Sequence, residues 1–186
     1  NPRAIVGLAA DDPKRVRAEL AQATEWLSRG RFLLQHCYCY AAETQLDLYT
    51  GNAVEAYERS KRVWPALRRS LLLKVQSIAI VTKGCRARTA LAAACADPQR
   101  RVALLREAER DVKSLAAMNS AWGKAEALLL RASLSSARGE AAAAAQYEAA
   151  YAAFDALGMR LHAAAARRRR AEFIPGTPDA AALLEA

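Results

Sequence analysis

Residues 46–77 read LDLYTGNAVEAYERSKRVWPALRRSLLLKVQS, and this stretch shows how the chain is built. Gly51 ends one helical pattern and a second pattern follows it. Pro65 has no backbone N–H and its ring clashes with the preceding turn, so it interrupts a helix. A third and strongly apolar pattern begins at Leu71. The stretch therefore predicts three helices, with a break at Trp64-Pro65 and Trp64 as a packing anchor.

The same alternation of helical periodicity and short breaks continues towards both ends of the chain. Asp12-Pro13 and Asp97-Pro98 each place a capping carboxylate before a proline at the first helical position. Gly84 interrupts an apolar pattern that resumes after it, so we expect no helix end there. After a short apolar lead-in, the patterns predict helices over residues 13–29, 31–50, 53–63 or beyond, 71–95, 98–118, 120–138, 141–157 and 159–172.

Composition supports an all-α class. Ala, Leu, Arg and Glu dominate the 186 residues, aromatic residues make up only 6%, and β-branched residues are scarce outside residues 75–82. No apolar run approaches the roughly 20 residues that a membrane span needs, and no signal-peptide pattern opens the chain. We therefore expect a cytoplasmic protein without a membrane partner. The ends of the sequence suggest a piece of a longer chain.

The spacing of the corners predicts the architecture. Breaks at Gly51, Asp97 and Gly139 lie 46 and 42 residues apart, and those at Gly30, Ser70, Asn119 and Gly158 lie 40, 49 and 39 apart. Each period is one helical hairpin, somewhat longer than the roughly 34 residues of a tetratricopeptide repeat. We expect one domain over residues 1–186, with about four antiparallel hairpins stacked as a degenerate tetratricopeptide-like superhelix. A closed helical bundle is the alternative.

Positive charge is concentrated in the middle of the chain. Residues 60–101, here called the basic zone, contain ten basic residues and one acidic residue, which equals the whole net charge of +9. Such a zone attracts an acidic partner or phosphate groups. The alternative is a solvated face or a set of intramolecular ion pairs. On an ideal helix Lys74 and Arg88 share one side while Lys83 lies nearly opposite, so the charges do not form one stripe.

Motifs of catalysis are missing from the sequence. There is no Gly-rich phosphate loop, no His-Glu-x-x-His and no Gly-x-Ser-x-Gly. His36 and Cys39 are spaced to share a helical face, but they are too few for a metal site. The cysteines fit neither a disulfide framework nor a Cys-x-x-Cys pattern, so we expect reduced, buried thiols at Cys37, Cys39, Cys85 and Cys95. We expect no catalytic residue, cofactor or metal in this chain.

The helices near the C-terminus contain two patterns that favour packing over ligand binding. The four arginines of residues 167–170 spread over about 300° of a helix and cannot all face one phosphate groove. We therefore expect them to be solvated, with their stems along the surface. Tyr147, Tyr151 and Phe154 recur at helical spacing, which predicts packing between helices and not a base-stacking platform.

Three segments together resemble a known family. They read QLDLYTGN at 45–52, WPALRRSLLLKVQ at 64–76 and GMRLHAAAARRR at 158–169, supported by RARTALA at 86–92 and LREAERD at 105–111. In order and spacing they are similar to the C-terminal tetratricopeptide-like region of large bacterial serine/threonine protein kinases that carry an ATPase module. The family's kinase and nucleotide-binding motifs lie upstream of this region, so the resemblance implies no catalytic residue here. Residues 174–178 differ from the family's glycine-rich corner.

The resemblance and the hairpin period together imply a regulatory scaffold. We expect a non-catalytic tail that mediates protein–protein or interdomain interaction in signalling, with a protein or peptide as partner, including the upstream domains of its own parent. A basic superhelix that binds nucleic acid or phosphate is an alternative, although we consider nucleic acid the weaker partner. The sensor region of a tetratricopeptide-containing transcriptional regulator is another. The candidate partner-binding residues are Gln45, Arg68, Arg69, Gln76, Lys83 and Arg86.

Overall fold

The described part of the protein is entirely helical. The computed structural model describes residues 2–27 and 31–173, and over these ranges it contains α-helices, one 3-10 turn and no strand. This confirms the all-α class. The α-helices are α1 (Pro2–Ala9), α2 (Pro13–Glu25), α3 (Leu34–Tyr49), α4 (Ala53–Arg69), α5 (Gln76–Ala96), α6 (Arg101–Ala116), α7 (Ala121–Arg138), α8 (Ala143–Asp155) and α9 (Arg160–Ala171), and the 3-10 turn is Leu72–Lys74.

The chain divides into two compact units, Asn1–Val102 and Ala103–Ala186. In the first unit α1 packs against α2 and α3, and α3 packs against α4 and α5. One part of its core is a cluster of buried side chains from α1, α2 and α3, namely Ala4, Val16, Leu20, Ala42 and Leu46. In the second unit α8 packs against both α7 and α9. The expectation of a single repeat domain stays a prediction.

Local signals for helix ends act as the sequence predicts at Asp12 and Gly139, whereas at Asp97-Pro98 the predicted helix start is wrong, because residues 98–100 form a turn and α6 begins only at Arg101. The Asp12 carboxylate accepts a hydrogen bond of 3.0 Å from the Arg15 amide, and the Asp97 carboxylate accepts one of 3.2 Å from the Arg100 amide. Gly139 follows α7 with φ 71°, in the left-handed region that a side chain disfavours. Gly84 lies buried inside α5, so the helix continues through it as expected. Caps and glycine corners depend on residues of a single turn, which is why they can be recognised from the amino-acid sequence.

The predicted break at Trp64-Pro65 is wrong, because α4 continues through both residues to Arg69. A proline inside a helix removes one hydrogen bond and costs about 3 kcal/mol. Burial of Leu67, which is 0% exposed, offsets much of that cost by about 2 kcal/mol. Trp64 adds a further contact, since the Arg86 guanidinium of α5 lies 3.7 Å from its ring centroid. Contacts made after the proline therefore keep the last turn helical.

The true interruption lies six residues later. Leu71 has φ 63°, a conformation that ends α4, and the 3-10 turn Leu72–Lys74 follows it. The helix predicted over residues 71–95 therefore begins only at Gln76. The corner expected at Ser70 is therefore present, since Ser70 caps the end of α4. Leucine carries no sequence signal for a positive φ, so the 3-10 turn that delays the next helix could not be predicted from residue type.

Other predicted bounds are too long by a few residues. The helix expected over 13–29 ends at Glu25, the one expected over 31–50 begins at Leu34, and the one expected over 98–118 begins at Arg101. The apolar spacing of that last helix also predicts a packed Val102, but its side chain is 64% exposed, so this prediction is wrong. The sequence further predicts a break at residues 174–178 and a last helix over 179–186, and these, like the expected corner at Gly30, lie outside the described residues.

In the second unit, an aromatic cluster packs α7, α8 and α9 together. Phe154 is fully buried with Ala125 and Ala163, and Trp122 and Tyr151 pack against them half-buried. Tyr147 is also fully buried, which confirms its predicted packing role. The arginine run makes intramolecular pairs, with Arg170 on Glu148 at 2.8 Å and Arg169 on Glu172 at 2.7 Å.

Candidate functional site

The six predicted partner-binding residues are spread over three helices of the first unit. Gln45 is half-buried on α3, Arg68 and Arg69 are exposed in the last turn of α4, and the others belong to α5. Gln76 is exposed at the first residue of α5, whereas Lys83 and Arg86 are half-buried. Of the six, Arg68 and Arg69 line a common cleft, which is open to solvent and has a volume of about 330 Å³.

Trp64 and Pro65 complete the lining of this cleft as far as the described residues show. The cleft therefore combines an indole ring and a pyrrolidine ring with two guanidinium groups. The Arg86 guanidinium stacks on the Trp64 ring from α5, so the candidate Arg86 supports the cleft from another helix and does not line it. We call the set of Trp64, Pro65, Arg68 and Arg69 the α4 cleft.

Helix geometry explains why the two arginines point outward. Leu67 is fully buried and fixes the rotation of the last turn of α4, so Arg68 and Arg69, which follow it, emerge on the solvent side. Their charges also lie near the free carbonyl groups at the helix C-terminus, which is favourable by a few tenths of a kcal/mol. The hydroxyl of Ser70 donates a 2.6 Å hydrogen bond to the Leu67 carbonyl oxygen and closes the turn.

Most cations of the basic zone already have a partner within the chain. Arg62 pairs with Glu55 at 2.7 Å, and Arg100 pairs with Glu58 at 2.9 Å and with Asp97 at 2.6 Å. The Asp97 pKa is held below its ordinary value, chiefly by the hydrogen bond from the Arg100 side chain. Lys61 lies over the Tyr57 ring, Arg101 donates to the Ala94 carbonyl, and Lys83 and Arg88 also have partners. Most cations of this zone therefore contact another group of the chain, and two of them, Arg62 and Arg100, form ion pairs with carboxylates.

Three cations of the basic zone lack such a contact. Among the described residues, Arg68, Arg69 and Lys74 have no ion-pair or hydrogen-bond partner, and all three are exposed. They fall within seven consecutive residues, 68–74, around the junction between α4 and α5. An unpaired group of like charges next to an apolar surface is the part of this unit most suited to an acidic ligand.

No family model matches the chain, and no curated protein or solved structure is detectably similar to it.

Other types of site find little support in the described part of the chain. Within it, no group of three His, Cys, Asp or Glu side chains is placed to hold a metal ion. No helix there is both long enough and apolar enough to cross a membrane. The cysteines are free thiols, of which Cys37, Cys39 and Cys85 are buried as predicted, whereas Cys95 is exposed, so the prediction that it is buried is wrong.

Sequence reasoning missed Lys74 and gave Trp64 only a packing role. A usable signal was present, because no acidic residue occurs between Glu58 and Asp97. Side chains three and four positions apart on a helix are the ones that pair, and Arg68, Arg69 and Lys74 have no carboxylate at those spacings. The cleft itself could not be foreseen, since it depends on α4 continuing past Pro65.

Proposed function

We propose that this chain is a non-catalytic helical-repeat scaffold whose α4 cleft binds an acidic segment of a partner protein. The observation that carries the proposal is the pair of unpaired cations Arg68 and Arg69 beside the rings of Trp64 and Pro65, with the unpaired Lys74 following in the 3-10 turn after α4. Carboxylates of a partner pair with the guanidinium groups, each of which can donate two parallel hydrogen bonds to one carboxylate. The two rings offer the apolar surface that interfaces place at their centre.

The arrangement of helices as a degenerate tetratricopeptide-like superhelix belongs to the same proposal. Its support is the hairpin period in the sequence, together with the packing of each helix from α1 to α4 against the next helix in the chain. The segments at 45–52, 64–76 and 158–169, which resemble the tail of bacterial serine/threonine protein kinases, favour a regulatory role in signalling. The partner is then another protein or an upstream domain of the parent chain.

A display library of random 16-residue peptides tests the binding proposal. We expect selection on the wild-type protein to enrich peptides rich in Asp and Glu. The Arg68→Glu, Arg69→Glu double variant should bind the selected peptides at least about tenfold more weakly in fluorescence anisotropy, because each lost pair becomes a repulsion.

The control is the Lys14→Glu, Arg17→Glu double variant. Lys14 and Arg17 are also exposed and without an ion-pair partner among the described residues, and the change in net charge is the same. The affinity of this control variant for the selected peptides should stay within about twofold of the wild-type affinity, because a change in net charge far from the cleft is largely screened by salt. Equal losses in the two variants would show that net charge alone attracts the peptides. A single-stranded oligonucleotide that binds more tightly than every selected peptide would favour the nucleic-acid alternative.

A further inference from the structure

A second opening lies between α3 and α5 in the first unit. It is a half-open groove of about 140 Å³, lined by Cys37 and Tyr38 of α3 and by Ser77, Ile78, Val81 and Thr82 of α5. Neither the sequence patterns nor the α4 cleft accounts for it. We call it the α3/α5 groove.

Most of the surface of this groove is apolar. Cys37 is 4% exposed, and burial raises the pKa of its thiol to about 11, so the sulfur is uncharged at neutral pH. The Thr82 hydroxyl donates a 2.7 Å hydrogen bond to the Ile78 carbonyl oxygen, so this donor is already used inside α5. The Tyr38 ring is 53% exposed. The lining therefore combines aliphatic side chains, a thiol and an aromatic ring with the hydroxyl groups of the exposed residues Ser77 and Tyr38.

Size limits what the groove can hold. An apolar protein cavity of about 150 Å³ is large enough for benzene. A leucine or methionine side chain is no larger than benzene and fits this volume, whereas the indole of a tryptophan is too large. Thr82 uses its donor inside the helix and the thiol is a weak donor and acceptor, so a polar ligand would find hydrogen-bonding groups chiefly at the exposed Ser77 and Tyr38.

The groove lies next to the unpaired cations. Ile78 follows Lys74 by four residues, and four Cα–Cα steps of about 3.8 Å limit their separation to at most about 15 Å. Val75, between them, is 49% exposed, and Leu34, one turn before Tyr38 on α3, is 37% exposed. Exposed apolar side chains thus lie within about one turn of the groove on both helices, and one short peptide segment can reach from the groove to Lys74.

We infer that the α3/α5 groove takes one leucine or methionine side chain from the same acidic partner segment that pairs with Arg68, Arg69 and Lys74. This inference rests on the proposed function, and it names the partner more closely. The partner segment is amphipathic, with acidic residues on the cations and an aliphatic anchor in the groove. Paired apolar and charged contacts of this type give such segments both affinity and register.

The peptides selected on the wild-type protein provide the test. We expect them to share one Leu or Met at a constant distance from their acidic residues. Replacement of that residue by Ala should weaken binding to the wild-type protein about tenfold or more, since a buried aliphatic side chain is lost. Ser77→Trp, which places an indole at the edge of the groove from an exposed position, should cause a similar loss.

Ala121→Trp is the size-matched control. It alters an exposed first-turn residue of α7, in the second unit, and should leave affinity unchanged. In the Ser77→Trp protein, the Ala replacement in the peptide should cause little further loss, because the two changes disrupt one contact. Unchanged circular dichroism of both variants shows that the protein is folded.

Two outcomes would overturn the inference, and they differ. If acidic peptides are selected without a shared aliphatic residue and Ser77→Trp has no effect, the groove has no role, while the proposed function stands. If selection enriches no acidic peptides at all, the proposed function fails and the inference fails with it.

Discussion

Arg59 joins α4 to α3 through two carboxylates. Its guanidinium lies 3.0 Å from Glu43 and 2.9 Å from Asp47, and the Asp47 side chain is only 5% exposed. A buried carboxylate is tolerated because a cation faces it, and removal of the cation leaves an uncompensated charge. The ion pair of Arg59 with the buried Asp47 therefore contributes more to the free energy of unfolding than the exposed ion pairs of the same helix.

Replacement of Arg59 by Met should lower the free energy of unfolding by about 2 kcal/mol, measured by urea denaturation. Arg62→Met is the matched control, because the pair of Arg62 with Glu55 joins side chains that are 62% and 56% exposed. Such an exposed pair contributes at most about 0.5 kcal/mol. Equal losses in the two variants would mean that Asp47 is not held by Arg59.

The buried thiol of Cys37 predicts a loss of stability at high pH. Its pKa in the folded protein is raised to about 11 by burial, from an ordinary value near 9. Below pH 9 both states hold the proton, whereas between pH 9 and 11 the unfolded state releases it first, so stability falls with rising pH. The slope for one proton is at most about 1.4 kcal/mol per pH unit.

Cys37→Ala should flatten this pH dependence in urea denaturation between pH 9 and 11. Cys95→Ala is the control, because the Cys95 thiol is exposed and should not change the slope. Burial also raises the pKa of Tyr40, so part of the slope should persist in the Cys37 variant. A Cys37→Ala protein with an unchanged slope would exclude the thiol as a source.

At the scale of elements, we expect Pro65 to lower the stability of α4 while it contributes to peptide binding. It is exposed in the middle of the last turns of α4 and lines the α4 cleft. Pro65→Ala restores a backbone donor and should raise the free energy of unfolding by about 1–2 kcal/mol, after allowance for a more flexible unfolded chain. The same change should weaken peptide binding. Destabilisation by Pro65→Ala would show that the ring itself holds the turn.

The corner after α4 should be improved by a different residue at Leu71. Leu71 has φ 63° and is 62% exposed, so it has an unfavourable backbone conformation without much burial in return. Asn tolerates this conformation, and Leu71→Asn should raise the unfolding free energy by about 1 kcal/mol. Leu71→Val, which is β-branched, should lower it. Both are measured by thermal and urea unfolding, and a reversed order would contradict the strain argument.

At the scale of the whole molecule, the uneven charge distribution should act mainly on association. The net charge of +9 equals the charge of residues 60–101, so the electric field that guides an acidic peptide originates there. Raising the salt from about 50 to 500 mM should slow peptide association at least about tenfold and change dissociation little, measured by stopped flow. An effect confined to dissociation would contradict electrostatic steering.

Local features of the fold were predictable and long-range ones were not. Asp12 and Gly139 determine helix ends through groups in their own turn, so their sequence context was sufficient. Continuation of α4 past Pro65 depends on burial of Leu67 and on contact with Arg86 of another helix. Of the candidate site, Arg68 and Arg69 were expected and lie together, whereas Gln45 and Lys83 do not line their cleft.

The sequence by itself determined that this protein is helical, where most helices end, and that its net charge lies in residues 60–101. These follow from propensities, caps and composition, which act over a few residues. The tertiary structure alone decided which cations pair, because partners such as Arg100 and Glu58 lie 42 residues apart. It also decided that α4 extends to Arg69 and that α3 and α5 enclose a groove. Both depend on packing between helices, which no local pattern specifies.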